Sequence, residues 1–554
     1  MSLSAIVLCL IFIGSWYLFT HRVDLPTVGG EYTEGLIGEP QFINPLYAPA
    51  SDVDADLTYL VYSGLLKWDQ NQGLINDLAE TLEIFDEGKT YVIKIRDDAR
   101  FHNREPVRAR DVIFTIEAIK NPLYRSPLAA AFRNVTTTQI DDKTVELKLN
   151  EPFAPFLSNL TVGILPAEIW GEYPPKSAQL AAPNLEPIGS GPYRFEEFTK
   201  DKKGVIHSYT LKRNPDYYGD GPLLETITFK FYPNPASAVQ ALDNRNIEGL
   251  GYVPLDLLAE VSGDRSVNLN FPLITRQTVL FFNQKTNENL KNKEIRKALA
   301  LAINKTLLVS DDLQGHGQTI DGPILPGFLG EHPELARTPH DLGIANSLLD
   351  EAKFAWPENS DFRVTEAPAA DESENENENE ASDHRLGFTL TTVNSYELTR
   401  VAESLKNQFA DIGVDLTIDI IEPDELFSRV IQPRNYEILL TTLILGSDPD
   451  PYPFWHSSQI NDNGLNLANY ANRKVDTLLE EARVQTETEE RAIRYQQFQD
   501  ILAEDLPAVF LYQSSYHYAV ASKIKNVSLE RVINPSDRFQ NIENWYSKTQ
   551  KKLR

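Results

Sequence analysis

The sequence predicts an α/β protein with several sheets, because helical and strand-like patterns of apolar residues alternate along the chain. The clearest unit spans residues 386–421, where a strand, a helix and a second strand follow one another. Gly413 supplies the residue at which the helix can end before the second strand begins. The apolar positions are Leu386, Phe388 and Leu390 in the first strand, Val401, Leu405, Phe409 and Ile412 in the helix, and Val414, Leu416, Ile418 and Ile420 in the second strand.

Other segments repeat these patterns along the chain. Residues 293–308 have helical spacing, and so do residues 475–482 near the C-terminus. Thr486 and Glu489 have the spacing of a capping box that would open the next helix. Short strands are predicted at residues 91–95, 144–149, 208–213 and 226–232.

Length and composition indicate a large globular protein with more than one lobe. The chain has 554 residues, of which 42% are hydrophobic and 10% aromatic, and one ordinary core rarely organises so long a chain. The formal net charge is −28 at pH 7. So negative a surface argues against nucleic acid and anionic membrane surfaces as partners.

The N-terminal segment, residues 1–25, is predicted to be a membrane anchor or a signal segment. Residues 3–19 are apolar or small throughout, which is near the lower length limit for a membrane-spanning helix. No small-residue cleavage motif follows them, and no small residue directly precedes Cys9, as lipoprotein lipidation would require. We therefore expect an uncleaved transmembrane helix, with a removed signal peptide and a buried core helix as alternatives. Cys9 is the only cysteine, which excludes an intramolecular disulfide.

An acidic tract at residues 366–383 contains no large apolar residue and alternates Glu with Asn. Because it cannot offset its ordering entropy by burial, we expect a disordered surface loop. The alternative, a cation sink, is disfavoured because a flexible run lacks the fixed geometry of a selective site.

Residues 446–458 combine two Asp-Pro pairs with several aromatic residues, directly after an apolar strand predicted at residues 438–445. This composition suits neither a core nor a helix and predicts a rigid polar loop. Taken alone, the loop is either a solvent turn, since Asp-Pro is common in turns, or a ligand-facing segment.

No pattern typical of an enzyme or of a bound cofactor occurs in the chain. The histidines are scattered and form no recognised metal-ligand motif with Cys, Asp or Glu. The sequence contains neither a nucleophile elbow nor a phosphate-binding or dinucleotide-binding glycine loop. His456 beside Trp455 is interpreted as a surface or packing histidine rather than a base. We therefore expect a non-enzymatic binding protein with no cofactor and no metal site.

Several short stretches follow one another in a characteristic order from about residue 31 to residue 526. They are Glu39-Pro40, Asn44-Pro45-Leu46, Leu60-Val61-Tyr62-Ser63-Gly64-Leu65, Asp77-Leu78-Ala79-Glu80, Gly88-Lys89-Thr90-Tyr91, Phe101-His102-Asn103, Arg110-Asp111-Val112-Ile113-Phe114, Ile188-Gly189-Ser190-Gly191-Pro192-Tyr193, residues 211–217, residues 280–283, Ile295-Arg296-Lys297-Ala298-Leu299, Ala302-Ile303-Asn304 and Asp448-Pro449-Asp450-Pro451. Together they resemble the family 5 extracellular solute-binding proteins of ABC transporters, which include oligopeptide, dipeptide and nickel receptors. One departure is Arg104, which replaces the customary glycine of a turn.

The resemblance implies a periplasmic-binding-protein-like type II fold, in which two α/β lobes close around a ligand like a Venus flytrap, with an extra lobe peculiar to the family. Lobe I would comprise residues 28–50, 188–271 and 511–554. Lobe II would be the insertion of residues 51–187. Lobe III would be residues 272–510, with the acidic tract as a loop between its strands.

The resemblance also implies candidate site residues. In peptide-binding members an aspartate just upstream of the Asp-Pro pair holds the α-ammonium group of the ligand. Alignment on Asp450-Pro451 puts Ser447 at that position, and a shift of one residue puts Asp448 there. The ligand-binding candidates are Ser447, Asp448, Asp450, Tyr452, Trp455, Asn283 and Glu39, with packing as the alternative for the aromatic residues and structural hydrogen bonding as the alternative for Asn283.

Gly189 and Gly191 flank Ser190 just before Pro192 and are candidate hinge residues. An ordinary turn or a close approach of two backbone segments is the alternative for both glycines.

The function implied by this resemblance is a membrane-anchored, extracytoplasmic and monomeric receptor that captures a solute, expected to be a short peptide, and delivers it to the permease subunits of an ABC transporter. One alternative is a sensor or structural module that keeps the fold without transport. A nickel or metal-chelate receptor ranks lower, since His456 is the only imidazole near the loop.

Overall fold

A computed structural model of the chain describes residues 22–357, 360–365 and 385–553. The transmembrane helix predicted at residues 3–19 and the acidic loop predicted at residues 366–383 lie outside these ranges. Within them, no helix combines the length and the apolar character needed to cross a membrane. Residues 22–25, assigned above to the N-terminal segment, belong to a strand, Arg22–Pro26, that pairs with Thr549–Leu553.

A seven-stranded sheet collects strands from both ends of the chain. Glu31–Ile37 lies parallel to both of its neighbours, and the other pairings are antiparallel. In spatial order the strands are Val267–Asn270, Tyr518–Ala521, Gly249–Leu250, Glu31–Ile37, Thr226–Tyr232, Ile206–Arg213 and Tyr193–Lys200.

An antiparallel four-stranded sheet lies within residues 51–187, which were predicted to be an inserted lobe, and its strands in spatial order are Ala79–Phe85, Thr90–Ile95, Thr144–Leu149 and Val135–Gln139. One continuous hydrophobic core joins it to the seven-stranded sheet, since Ile93 and Leu147 belong to the same cluster as Tyr32 and Tyr209. We call these two sheets and their shared core the first body. The insertion is therefore packed to the seven-stranded sheet as one unit.

A six-stranded sheet with a hydrophobic core on each face forms what we call the second body. Alternate side chains of the central strand Arg276–Phe282 pack into the two cores. Leu280 and Phe282 pack on one face, and Val279 and Phe281 pack on the other. The strands in spatial order are Gly317–Thr319, Ala508–Ser514, Arg276–Phe282, Ile438–Ile444, Gly387–Val393 and Asp415–Ile421.

The remaining elements complete these layers. Two-stranded pairs are formed by Leu66–Asp69 with Gly73–Asn76, Leu273–Ile274 with Arg531–Val532, and Phe354–Ala355 with Val364–Thr365. The α-helices of the described residues are Asp52–Val61, Ala109–Lys120, Ala129–Phe132, Phe156–Asn159, Ala167–Trp170, Pro235–Asp243, Leu258–Ser262, Lys293–Ala302, Lys305–Leu307, Leu342–Glu351, Tyr396–Ala410, Tyr452–Trp455, Arg473–Val484 and Thr488–Asp505.

The chain passes between the two bodies at residues 271–275 and 515–517. These crossing segments lie side by side, with an antiparallel bridge between Leu273 and Ser515. Thr275 fixes the crossing, since its hydroxyl donates to the carbonyl of Ile533 at 2.9 Å. The border predicted between residues 510 and 511 falls inside the strand Ala508–Ser514, which lies in the second body.

The strand-helix-strand prediction is confirmed, because Gly387–Val393 and Asp415–Ile421 pair in parallel around the helix Tyr396–Ala410. Gly413 has φ = +73°, as expected for the residue that ends the helix. The four predicted short strands and the helix at residues 475–482 are also present.

Two local predictions are wrong. The helix predicted over residues 293–308 ends at Ala302, because Ile303 is extended and Asn304 caps a separate turn. The capping box of Thr486 and Glu489 is absent: the next helix begins at Thr488, and its N-cap Glu487 makes no side-chain capping bond.

Candidate ligand site

The Asp-Pro loop lies where two antiparallel strands bring their ends together. Ile438–Ile444 ends where its partner Arg276–Phe282 begins, so residues 446–451 emerge at the edge of the sheet beside the crossing segments. The carboxyl ends of strands are the usual place for ligands in α/β sheets. The loop is not wholly irregular, as the sequence had indicated, since Tyr452–Trp455 forms one helical turn.

Both aspartates of the loop are held by arginines of the second body. Asp448 receives two hydrogen bonds from Arg491, at 2.5 and 2.8 Å. Asp450 receives two from Arg483, at 2.6 and 2.9 Å. Arg491 donates to both oxygens of Asp448, whereas both donors of Arg483 reach Oδ2 of Asp450, so each carboxylate is paired and held in place. By contrast, the hydroxyl of Ser447 makes no hydrogen bond to any described residue.

The aromatic candidates pack within the second body. Trp455 is buried between Phe281 and Phe510, with ring centroids 5.9 and 5.6 Å away. Tyr452 stacks on His456 at 4.1 Å between centroids. Such contacts match the packing alternative for these side chains.

Gln277, which was not among the predicted site residues, lines a small cavity beside the loop. Gln277 is only 1% exposed, and neither polar atom of its amide has a hydrogen-bond partner among the described residues. The indole nitrogen of Trp455 is likewise buried and unpartnered. Both residues line this cavity together with Asp448 and Asp450. Buried polar groups are rarely left unsatisfied, so the cavity is suited to a polar occupant, of which a water molecule is the smallest.

Asn283 is fully buried and occupied by structural hydrogen bonds. Its amide donates to the carbonyls of Arg434 and Tyr436 at 3.2 and 2.9 Å, and its oxygen accepts from Asn469 at 2.9 Å. Glu39 is exposed in the first body, after the strand Glu31–Ile37.

Gly189 and Gly191 lie within the first body, away from the two crossing segments. A Cβ atom at either glycine would come within 2.0 to 2.5 Å of a carbonyl oxygen in the last turn of the helix Asp52–Val61. His102 bonds to both of them: the amide of Gly189 donates to Nδ1 at 3.2 Å, and Nε2 lies 3.1 Å from the carbonyl of Gly191. This placement matches the close-approach alternative for these glycines.

The backbone conformation at Arg104 explains why glycine is customary at this position. Its φ is +72°, in the left-handed region that glycine adopts without strain. The turn survives the substitution, since the amide of Arg104 donates to the carbonyl of Phe101 at 2.7 Å.

A charged cluster at the junction of the two bodies was also missed. Asp52 and Tyr252 come from the first body, Arg276 and Glu397 from the second. No described residue gives the Arg276 side chain a hydrogen bond or an ion pair, and its Nε is buried. Arg276 nevertheless acts electrostatically on the other three groups. A partly buried arginine without a paired acid at an interface between bodies is a candidate for ligand binding.

The pKa of Glu397 reflects this setting. Burial raises it above the ordinary value, against the opposing effects of the hydrogen bond from the Tyr512 hydroxyl, at 2.9 Å, and of the Arg276 charge.

Exposed apolar and aromatic side chains lie on the same elements as the cluster. Ile444 is directly opposite Arg276 in the strand register, so the two side chains share a face, and Ile444 is 62% exposed. Tyr252 and Tyr396 are also exposed. The junction thus combines both signs of charge with apolar walls, as ligand sites commonly do.

Comparison with known proteins places the chain in a family. The model of the bacterial extracellular solute-binding proteins, family 5 (middle region), matches residues 73–466, more than half of the chain. The oligopeptide-binding protein AppA of Bacillus subtilis is 27% identical over 527 residues, covering 94% of this chain and 92% of that protein.

Solved structures agree with this comparison. The structure of AppA from Bacillus subtilis in complex with a nonapeptide superposes with a TM-score of 0.71 at 26% identity, covering 94% of this chain and 99% of that one. NikZ from Campylobacter jejuni in complex with Ni(L-His) superposes with a TM-score of 0.73 at 25% identity, covering 93% and 99%. The chain therefore belongs to family 5 of the bacterial extracellular solute-binding proteins.

Proposed function

We propose that this protein is the extracytoplasmic receptor of an ABC transporter and that it captures a short peptide between its two bodies. The single observation that carries the proposal is the unpaired Arg276 beside Glu397 and Asp52 at the junction of the bodies. AppA, described as oligopeptide-binding and solved with a nonapeptide, supports the ligand class.

A peptide carries the charges that this cluster can bind. Arg276 is suited to a carboxylate, to which a guanidinium donates two parallel hydrogen bonds. Glu397 and Asp52 are suited to an ammonium group. Tyr252, Tyr396 and Ile444 provide apolar contacts for side chains of varied size.

The division of the cluster between the bodies explains how capture would work. A ligand that touches groups of both bodies interacts fully only when they are close, and it shifts the equilibrium toward the closed form. We propose the crossing segments, residues 271–275 and 515–517, as the hinge. The lobe borders and the hinge roles of Gly189 and Gly191 remain predictions.

The Asp-Pro loop then has a different role from the one the sequence predicts. Asp448 and Asp450 hold the loop in place through Arg491 and Arg483, and Ser447 is left as the polar side chain available to a ligand. The α-ammonium group would be held by the interbody acids instead. Delivery to permease subunits, attachment through residues 3–19 and a monomeric state belong to the same proposal.

Native mass spectrometry of the purified full-length protein tests this proposal. We expect a set of co-purifying peptides, and calorimetric titration of a recovered peptide should give weaker binding to Arg276→Gln than to the parent. Repeated recovery of empty protein, with no thermal shift from peptide mixtures, would instead favour the sensor or structural module.

A second candidate, a receptor for a metal chelate, is favoured by one observation. The rings of His316 and His517 lie 5.3 Å apart beside the crossing segments, and Nε2 of His517 is buried without a partner among the described residues. Burial lowers the pKa of His517 to about 4, so the ring is neutral at pH 7. NikZ, solved with Ni(L-His), belongs to the same fold. Titration with nickel and L-histidine, with His517→Gln as the control, separates this candidate from peptide binding.

A further inference from the structure

The two bodies make several contacts besides the charged cluster, one of which lies at the C-terminal end of the helix Arg473–Val484. The backbone amide of Ala154, in the first body, donates to the carbonyl of Arg483 at 2.8 Å. The guanidinium of Arg483 also lies 5.4 Å from the ring centroid of Phe153. Phe153 in turn packs against the core of the first body. Arg483 therefore contacts the first body through both its backbone and its side chain.

A second contact lies next to this one. A Cβ atom at Gly88 of the first body would come within 2.6 Å of Cγ2 of Thr486, so the two backbone segments approach closely. Gly88, Phe153 and Ala154 of the first body lie against Arg483 and Thr486 of the second. The contact is thus a small interface made of several groups.

The side chain of Arg483 is fixed from its own side as well. Asp450 accepts from its Nε and Nη2, and its guanidinium lies 3.7 Å above the ring of Tyr452. Asp450 and Tyr452 belong to the segment at the candidate ligand site. One arginine therefore links the Asp-Pro loop to the insertion of the opposite body.

We propose that Arg483 is a positioning residue for ligand capture, which holds the Asp-Pro loop in place and stabilises the closed arrangement of the two bodies through Phe153 and Ala154. The inference goes beyond the proposed function, because this latch acts without touching the ligand. It rests on the proposed function only where ligand affinity is the readout.

The physical argument is one of populations. The contacts of Arg483 with Phe153 and Ala154 join groups of different bodies, so opening of the cleft breaks them. A cation–π contact of this kind is a modest stabilising interaction at a partly exposed site. Because apparent affinity scales with the population of the binding-competent state, its loss should weaken binding about two- to fivefold.

The direct test measures closure without any ligand. Cys9 is the only cysteine, so a Cys9→Ser background accepts two spin labels at Glu151→Cys and Glu487→Cys, which are exposed positions on either side of the contact. Pulsed electron resonance then gives the distribution of distances between the bodies. We expect Phe153→Ala and Arg483→Gln to move this distribution to longer distances. Phe153→Tyr keeps an aromatic ring at this position and should give the same distribution as the parent.

A matched control separates the latch from general effects on the helix. Glu481→Gln breaks an ion pair with Arg494, at 3.1 Å, whose members both lie in the second body. It should leave the distance distribution unchanged. Thermal unfolding of each variant shows whether Arg483→Gln has damaged its own body, and Phe153→Ala leaves the pair of Arg483 with Asp450 intact.

Combination of the two latch variants gives the deciding result. If both remove one shared contact, the double variant should open the cleft no further than the more severe single variant. Distributions that match the parent for both single variants, with and without ligand, would overturn the proposal, and so would fully additive shifts. Where a peptide binds, we expect the latch variants to raise its dissociation rate more than they lower its association rate. Failure to find any ligand would affect the proposed function only, because the ligand-free distances test the latch by themselves.

Discussion

Arg538 in the first body and Arg276 at the junction show opposite treatments of the same side chain. Arg538 is fully buried, and its guanidinium donates to Glu34 at 2.6 and 2.9 Å, to Asp56 at 2.6 and 2.8 Å, and to the carbonyl of Pro535 at 2.8 Å. Arg276 has no such partner among the described residues, although Asp52 lies one helical turn before Asp56. A neighbouring acid is therefore not enough to pair an arginine.

The difference separates a fully paired structural charge from an unpaired charge that is available for binding. Burial of an ion is costly unless every donor is satisfied, and Arg538 uses all five of its N–H groups. Arg276 keeps its donors free at a surface where the two bodies meet. The first arrangement fixes the strand Glu31–Ile37, the helix Asp52–Val61 and the C-terminal segment together, whereas the second leaves binding capacity unused.

The largest effect is expected from Arg538→Met. This substitution leaves Glu34 and Asp56 buried without a counter-charge and should lower the free energy of unfolding by about 3 to 5 kcal/mol. Denaturant unfolding measures it, with Arg276→Met as the matched control, which should change stability by less than about 1 kcal/mol. Equal losses for both variants would remove the distinction between the two arginines.

Substitution of Arg276 should instead affect ligand binding and leave stability almost unchanged. Arg276→Gln removes a charged hydrogen-bond donor worth about 1.5 to 3 kcal/mol, so the affinity for a bound peptide should fall about 10- to 150-fold. The melting temperature of the ligand-free protein should hardly move. Calorimetric titration checks the first expectation and scanning calorimetry the second, and unchanged affinity would show that Arg276 does not touch the ligand.

The raised pKa of Glu397 predicts that ligand affinity and folding stability respond to pH in opposite directions. Burial raises the pKa of Glu397, despite the hydrogen bond from Tyr512 and the charge of Arg276. A ligand ammonium group needs the carboxylate, so affinity should fall as the pH drops through this raised pKa, by up to about tenfold per pH unit. The contribution of the same group to folding stability has the opposite sign: it is fully present below the unfolded pKa and is lost as the pH rises through the folded pKa.

Titrations of affinity and of unfolding against pH separate the two responses. Glu397→Gln should flatten the component of each curve that comes from this residue. An affinity curve with the same acid limb in parent and variant would exclude Glu397 as the ammonium ligand.

The smallest effects are expected for single hydrogen bonds in the second body, where a side chain with a hydrogen-bond partner is again compared with one that lacks the predicted partner. Ser395 caps the helix Tyr396–Ala410, accepting from the amide of Leu398, whereas Thr486 caps no helix. Ser395→Ala should lower the free energy of unfolding by about 1 kcal/mol, and Thr486→Ala by less than about 0.5 kcal/mol. Parallel denaturant curves measure both, and a larger loss for Thr486→Ala would restore the capping box.

Much of the fold could be predicted from local patterns. The parallel pair around the helix Tyr396–Ala410 was predictable because Gly413 and the change of apolar period are properties of adjacent residues. The break after Ala302 was not, because Leu307 and Leu308 continue the apolar spacing beyond Asn304, whose side chain caps a new turn. Capping depends on backbone geometry that residue spacing does not fix.

The candidate site could be predicted only in part. The loop at residues 446–451 was identified by its composition and by its place in the family order. That Asp448 and Asp450 are both occupied was not predictable, because Arg491 and Arg483 lie 43 and 33 residues further along the chain. Neither Arg276 nor Gln277 could be predicted as a site residue, because neither belongs to a sequence motif.

The sequence by itself determined the types and order of most elements, the family, and the position of one loop at the candidate ligand site. Those properties depend on residues that are close together in the chain. Only the tertiary structure decided which charges are paired, because Arg538 meets Glu34 across 504 positions of sequence, while Arg276 meets no partner at all among the described residues. Whether a charge is neutralised is set by the three-dimensional neighbourhood and its dielectric, and that neighbourhood exists only after the chain has folded.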